Sequence, residues 1–351
     1  DITDLDGSAD IKKAGSLKIG SATGTVDASK ISGKAEIGSA SAVDINTADS
    51  VVADNVTNGL VVKSINGTVE SSGTLGSFDA TDVGGATTLN DVSGRIRATD
   101  VSDLSANSAG SLSINGAGDV QVATVNGIGD VSGAASLDIT TANGDITAKT
   151  IAGDVKLAKG TNLTVNGAGG NVSADDISGK LKASDIDGGI TSSTNLGSLD
   201  ATTVGGDISV AAVQNELKVD DVKNVSASGT VGSVNAKNAG NLSFADVTNQ
   251  LEASNTGDIA ATGKIGSLDA KSAGDISIEE VGGVASVIDA KSLSITTAGS
   301  EVTAKNIAGN VEIANGSDLI VRDAKGVVAD NLSGKLDAAN TVSYTHLRAH
   351  E

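Results

Sequence analysis

Gly144–Leu157 reads GDITAKTIAGDVKL. Two apolar pairs stand in it, Ile146/Ala148 and Val155/Leu157, each with one polar residue between its members. Alternation over a few residues marks a strand with one buried face. Gly153 and Asp154, between the pairs, are turn formers. The same pair recurs along the chain, as Leu17/Ile19, Val26/Ala28, Val43/Ile45, Leu112/Ile114, Leu199/Ala201, Leu217/Val219, Leu293/Ile295 and Leu319/Val321. About 38 such strands fit between Ser16 and Lys335, about 8.6 residues apart, the spacing of short-strand all-β architectures.

Longer matches set the true repeat. Thr74–Ala80 (TLGSFDA) returns as Asn195–Ala201 (NLGSLDA), Thr230–Ala236 (TVGSVNA) and Lys264–Ala270 (KIGSLDA), at shifts of 121, 35 and 34 residues. Ser136–Val155 matches Ser292–Val311 at a shift of 156, and Val51–Leu60 matches Val327–Leu336 at a shift of 276. Each shift is an even number of strand units. The sequence therefore predicts an all-β chain, a single parallel β-solenoid with two strands and about 17 residues per turn. A three-strand turn of about 26 residues is the alternative. Stacking would bury one aliphatic column and pair each strand with those above and below. At about 4.8 Å per turn, nineteen turns give roughly 90 Å of stack. Right-handed coiling is favoured by the general preference of parallel crossovers.

Composition agrees. The chain has 351 residues with 45 Gly, no Pro, Cys, Met or Trp, two Phe and one Tyr. A thin core suits Ala, Val, Ile and Leu better than rings. Proline would remove a ladder hydrogen bond. At 38% hydrophobic residues, disorder is disfavoured. Glycines such as Gly144, Gly153, Gly205, Gly206 and Gly274 are expected to supply positive φ between strands, and Asn and Asp to stack in ladders. A net charge of −20 disfavours nucleic acid as a partner and an anionic membrane surface. No stretch approaches the length of a membrane span.

The array is expected to run over residues 1–341, with no composition shift to mark a linker. From Val342 the sequence reads VSYTHLRAHE, which holds Tyr344, His346, Arg348 and His350. It matches the translation of a transposase-type sequencing adapter residue for residue. Residues 342–351 are thus expected to be a non-native tail on a metagenomic fragment, and the two histidines are set aside as ligands or bases. The chain starts at Asp1 without Met, as a mature or truncated segment does.

With the tail removed there is no His, Cys or Tyr, so nucleophile–histidine catalysis has no residues to use. Paired carboxylates, Asp175/Asp176, Asp185/Asp187 and Asp220/Asp221, are the candidates for sugar chemistry. The solvated-turn reading outweighs it, because sugar clefts usually carry aromatic platforms and this chain has almost none. Calcium is the better cofactor candidate, through Asp119 and Asp130 in NGAGD and NGIGD. These look slightly like the calcium-binding β-roll nonapeptide, yet the full GGxGxD pattern is absent, and acidic turns without a specific ion are the plainer reading. Ice binding needs a regular Thr array, whereas Thr140/Thr141, Thr147 and Thr296/Thr297 are scattered. Eight N-x-S/T sequons, at Asn55, Asn66, Asn162, Asn171, Asn224, Asn241, Asn315 and Asn331, allow surface glycosylation.

In units such as Gly206–Val210 (GDISV), Gly144–Ala148 (GDITA) and Gly153–Leu157 (GDVKL), the chain resembles bacterial adhesin-type β-solenoids and repeat-rich surface-layer or exoprotein stalks. The resemblance implies an extracellular, cell-surface location and carries over no catalytic residue. The expected function is a structural or adhesive rod or spacer, not an enzyme, with surface glycans or cell-envelope proteins as partners. The alternatives are a calcium-stabilised secreted solenoid and a fragment of a solenoid carbohydrate-active enzyme.

Overall fold

The computed structural model describes residues 1–346, mostly strand, with no helix among them. They form two compact units, Asp1–Ala174 and the chain from Asp175 onward. Each unit is a parallel β-solenoid. In the first, Ala9, Val26, Val43, Leu60, Phe78, Ile96, Leu112, Gly129, Ile146 and Leu163 stack in register. In the second, Leu181, Leu199, Leu217, Val234, Leu251, Leu268, Ala285, Val302, Leu319 and Leu336 do the same. Steps of 16 to 18 residues separate neighbours, so each turn is the two-strand unit and the three-strand alternative falls.

One turn shows why these residues fold this way. In Val225–Asn241, the inward side chains are Val225, Ala227, Val231, Val234, Ala236 and Ala239, all buried. The turn is thus two arcs of nine and eight residues, each an apolar pair followed by one further apolar residue at a corner. The pairs are the sequence's h-x-h signal, and the corner residues complete the core. Burying an aliphatic side chain stabilises by about 1.5–3 kcal/mol, and six per turn oppose the ordering of the chain. The core is one side chain deep from either face. Phe244 is stacked between Ala227 and Ala261, whereas the other phenylalanine, Phe78, is buried between Leu60 and Ile96.

The two corners are built differently. At the eight-residue arc, one residue in each turn from Phe78 onward takes the left-handed conformation just before the corner apolar residue. In the first unit these are Asp82, Asp100, Gly116, Gly133, Thr150 and Gly167. In the second they run from Asp185, Thr203 and Asp221 through Asn238, Asn255 and Ser272 to Asp289, Asn306, Asp323 and Asn340. Asp and Asn tolerate this region better than other non-glycine residues. At the nine-residue arc, the recurring heptapeptide supplies Gly76, Gly197, Gly232 and Gly266. A Cβ on Gly232 would lie 2.5 Å from Gln214 O and still closer to Asn215 O. One on Gly266 would lie 2.5 Å from Thr248 O and closer to Asn249 O.

The expectation of positive φ at Gly144, Gly153, Gly205, Gly206 and Gly274 is corrected: none lies in the left-handed region. Close approach to the neighbouring turn is what holds them to glycine. A Cβ on Gly144 would meet Gly127 O, and one on Gly205 would meet Asp187 O, each at 2.5 Å.

The last strand, Leu336–His346, continues in backbone register past Thr341, pairing Ser343 with Gly326 and His346 with Ala329. Residues 347–351, including His350, lie outside the described residues.

Candidate functional site

Since the core consumes the inward positions, any site must be made of outward ones, which repeat turn by turn. The first face of the second unit carries Thr191, Ser209, Ser226, Ser243 and Ala260 stacked in register. Its opposite face carries Lys182, Asp200, Lys218, Asn235, Glu252 and Asp269, likewise stacked. Over these turns one face thus presents small uncharged side chains and the other a mixed column of cationic, neutral and anionic ones.

The first unit begins with a different column. Asp10, Asp27 and Asp44 stack on consecutive turns. They line a shallow groove of about 240 Å³ with Ser29, Asn46, Lys12 and Lys63. The like charges are offset by lysines: Lys12 Nζ lies 2.8 Å from Asp10 and Lys63 Nζ 3.9 Å from Asp44. A second, more open hollow of about 470 Å³ is lined by Glu70, Ser71, Ser72, Thr88, Leu89 and Asn90.

Many carboxylates are used as ties between turns. Asp154 Oδ1 accepts the Asn171 N–H at 2.7 Å, Asp246 Oδ1 the Lys264 N–H at 2.8 Å, Asp258 Oδ1 the Asp275 N–H at 2.9 Å, and Asp318 Oδ1 the Lys335 N–H at 2.6 Å. Asn241 continues one such column, donating its N–H to Asn224 Oδ1 and accepting the Asp258 N–H on its own Oδ1. The left-handed column adds amide rungs. Asn255 Nδ2 donates to Asn238 Oδ1 at 2.8 Å, and Asn340 Nδ2 to Asp323 Oδ1 at 2.8 Å. The expected Asn/Asp ladders are therefore present. Each satisfies a backbone or amide group that the tight corner would otherwise leave unpaired.

These ties decide what the sequence candidates can do. Asp119 sits at the corner before Val120, donates its N–H to Asp103 Oδ1 and accepts the Ser136 hydroxyl at 2.6 Å. Asp130 belongs to the other face of the same turn, stacked between Ser113 and Thr147, with Lys149 Nζ 3.5 Å away. The structure does not bring the two together. Among the described residues, no group of three or more acidic or imidazole side chains is placed to hold a metal ion. Asp175 Oδ1 accepts both the N–H and the hydroxyl of Ser193, and Asp220 accepts the Asn238 amide. Asp185 and Asp221 are left-handed corner residues, with φ of 58° and 57°. Thr140 and Thr147 fall on different faces. The sequon residues Asn224 and Asn241 are both held inside the ladder.

Charge adds little at these positions. Lys291 and Ser292, by hydrogen bonding to Asp275, hold its carboxyl below the usual range, and Lys291 is raised in turn. The Lys34 ammonium does the same to Glu36, and the Arg322 guanidinium to Asp337.

Sequence reasoning missed the left-handed corner column. Its signal is an Asp, Asn, Gly, Ser or Thr two residues after an h-x-h pair and directly before a third apolar residue, recurring in each turn from Phe78 onward. No protein-family model matches this chain, and no curated protein or solved structure is significantly similar to it.

Proposed function

We propose that the chain is a non-catalytic structural or adhesive element of a prokaryotic cell surface, an extracellular spacer or a surface-layer or adhesin stalk. The observation that carries this reading is repetition: within each unit, the outward positions of the paired strands return on the next turn, about 4.8 Å away, apart from the corners where the register shifts. A polymer or surface of regular chemistry then meets many equivalent contacts, and weak single contacts add through multivalency. Surface glycans and cell-envelope proteins are partners of that kind. The carboxylates that would serve a hydrolase or a calcium site are instead engaged by chain donors at several of the candidate positions, which supports the structural reading.

The test is location. Protease shaving of intact source cells, followed by immunodetection, is expected to remove the protein from the surface. Detection only after lysis would overturn the reading. A calcium titration separates the rival: a marked rise in melting temperature would favour a calcium-stabilised solenoid.

A further inference from the structure

We propose that Asn143 is a site of chemical modification, converting to aspartate and isoaspartate far faster than Asn66 and Asn126. The chain holds seven Asn-Gly pairs. Asn before Gly cyclises when the glycine nitrogen is free to attack the side-chain amide carbon, and a backbone N–H held in a hydrogen bond must first be released. Gly59, Gly116, Gly167 and Gly316 belong to strands. Gly67 N–H is held by Asp49 O at 2.7 Å, and Gly127 N–H by Gly110 O at 2.6 Å. Gly144 lies between the strands Gly129–Ala142 and Ile146–Ile151, and its N–H makes no hydrogen bond. Asn143 itself is exposed. Its Nδ2 donates to Asn126 Oδ1 at 3.1 Å, which fixes the amide at the turn's outer edge, and its backbone is pinned by Asn143 N–H to Val125 O at 2.9 Å. This juxtaposition of a held, solvent-facing amide and an unheld glycine nitrogen sets the pair apart from Asn66–Gly67 and Asn126–Gly127.

The chemistry balances with water as the only co-reactant. The Gly144 nitrogen loses its proton to solvent base and bonds to Asn143 Cγ. The Cγ–Nδ2 bond breaks, and ammonia leaves carrying the proton returned to it. Water then opens either carbonyl of the resulting succinimide, giving aspartate or isoaspartate. Either product places a carboxylate beside Asn126 Oδ1, where a donor stood. Isoaspartate also lengthens the main chain by one carbon at a corner where a Cβ on Gly144 would already lie 2.5 Å from Gly127 O. The modification is thus expected to loosen the ladder that runs from Asn126 through Asn143 to Thr161, whose hydroxyl donates to Asn143 O at 3.5 Å.

The experiment follows the full chain by peptide mapping with fragmentation during incubation in mildly alkaline buffer. The amide-to-acid mass gain is expected at Asn143 about tenfold faster than at Asn66 and Asn126, the rate equivalent of one backbone hydrogen bond. Asn143→Gln should remove the fast phase, since its longer side chain closes the ring far more slowly. In denaturant the three sites should converge. Conversion at Asn143 no faster than at Asn66 and Asn126 in the folded chain overturns the proposal. So does a fast phase that survives Asn143→Gln, or a rate difference that persists in denaturant.

Discussion

The two corners of a single turn in the second unit solve the same problem by different physics. In Val225–Asn241, the nine-residue arc turns at Gly232 and the eight-residue arc at Asn238. Gly232 is fixed by what lies in the preceding turn, the carbonyls of Gln214 and Asn215. Asn238 is fixed by its own backbone, at φ 48°. A steric demand from a neighbouring turn admits one residue type, so it writes a visible motif: the G-S of TLGSFDA, NLGSLDA, TVGSVNA and KIGSLDA. A conformational demand has a graded cost, so Asp, Asn, Gly, Ser and Thr all appear at the other corner and no motif is written.

The motif also explains the 34-residue spacing. In the turns at Ile190, Val225 and Ile259, the corner apolar residue (Leu196, Val231, Ile265) follows the pair by four residues. In those at Ile208 and Leu242, it (Val213, Val247) follows by three. The ladder shifts register at these places. Glycine is used where the four-residue form crosses the carbonyls of the three-residue form, so the demand returns every second turn.

The largest test of this contrast is Gly232→Ala. The added methyl overlaps two backbone carbonyls that cannot rotate away, and overpacking of this kind costs about 1–3 kcal/mol or more. Solenoid turns couple mainly to their neighbours. The expected result is a lower denaturation midpoint, with hydrogen-exchange protection lost first in the turns from Ile208 to Gln250. Unchanged protection there would mean that the corner yields, and the steric account of the motif would fail.

Thr256 offers a gain of intermediate size at the other corner. It occupies the corner apolar position, stacked on Ala239, and its buried hydroxyl has no partner. An unpaired buried hydroxyl costs about 1–3 kcal/mol. Val222 holds the same position two turns earlier, so the space suits valine. Thr256→Val is expected to raise stability by about 1 kcal/mol in denaturant melts. A loss would show that the hydroxyl is satisfied by solvent in solution.

Thr203 sharpens the conformational side. A β-branched residue at φ 56° is an outlier, and asparagine is favoured there. Thr203→Asn is expected to stabilise by about 0.5–1 kcal/mol, part of the cost of a left-handed residue. Thr203→Val, which keeps the branch, should bring no gain. Equal melting temperatures for wild type and Thr203→Asn would place the strain elsewhere.

The legibility of the molecule follows the same division. The h-x-h pairs, the 17-residue turn and the Asn/Asp ladders were readable, because burial and stacking repeat the same residue types at fixed spacing. The corner apolar residues were not, since single apolar residues such as Val231 and Ala239 carry no alternation. The role of Gly144 and Gly205 was misread because sequence shows that glycine is required without showing whether φ or a neighbouring carbonyl requires it. The candidate pair Asp119 and Asp130 was chosen for oxygen chemistry, but a strand separates corner from face, and spacing along the chain does not reveal that.

Charge gives the smallest effect, and it too depends on the neighbouring turn. Asp275 lies at the corner before Ile276, where Lys291 reaches it from the next turn with Nζ 2.5 Å from Oδ2, and Ser292 Oγ lies 2.6 Å from Oδ1. Those hydrogen bonds hold the carboxyl below its ordinary range. A carboxyl depressed in the folded state stabilises above its unfolded pKa, and that contribution disappears as pH falls through the lower folded value. Lys291 is raised, so its share is present below the unfolded lysine value and is lost as pH rises through the folded one. The pair therefore stabilises between the acid and strongly alkaline limits. Because both groups are exposed, solvent screens most of the interaction. Comparing wild type with Lys291→Met across the acid range is expected to show a slightly shallower loss of melting temperature for the variant, with added salt erasing the difference. Identical acid profiles at low salt would show that the Ser292 hydroxyl alone holds the carboxylate, leaving the ladder contact, and not the ion pair, as the tie between these two turns.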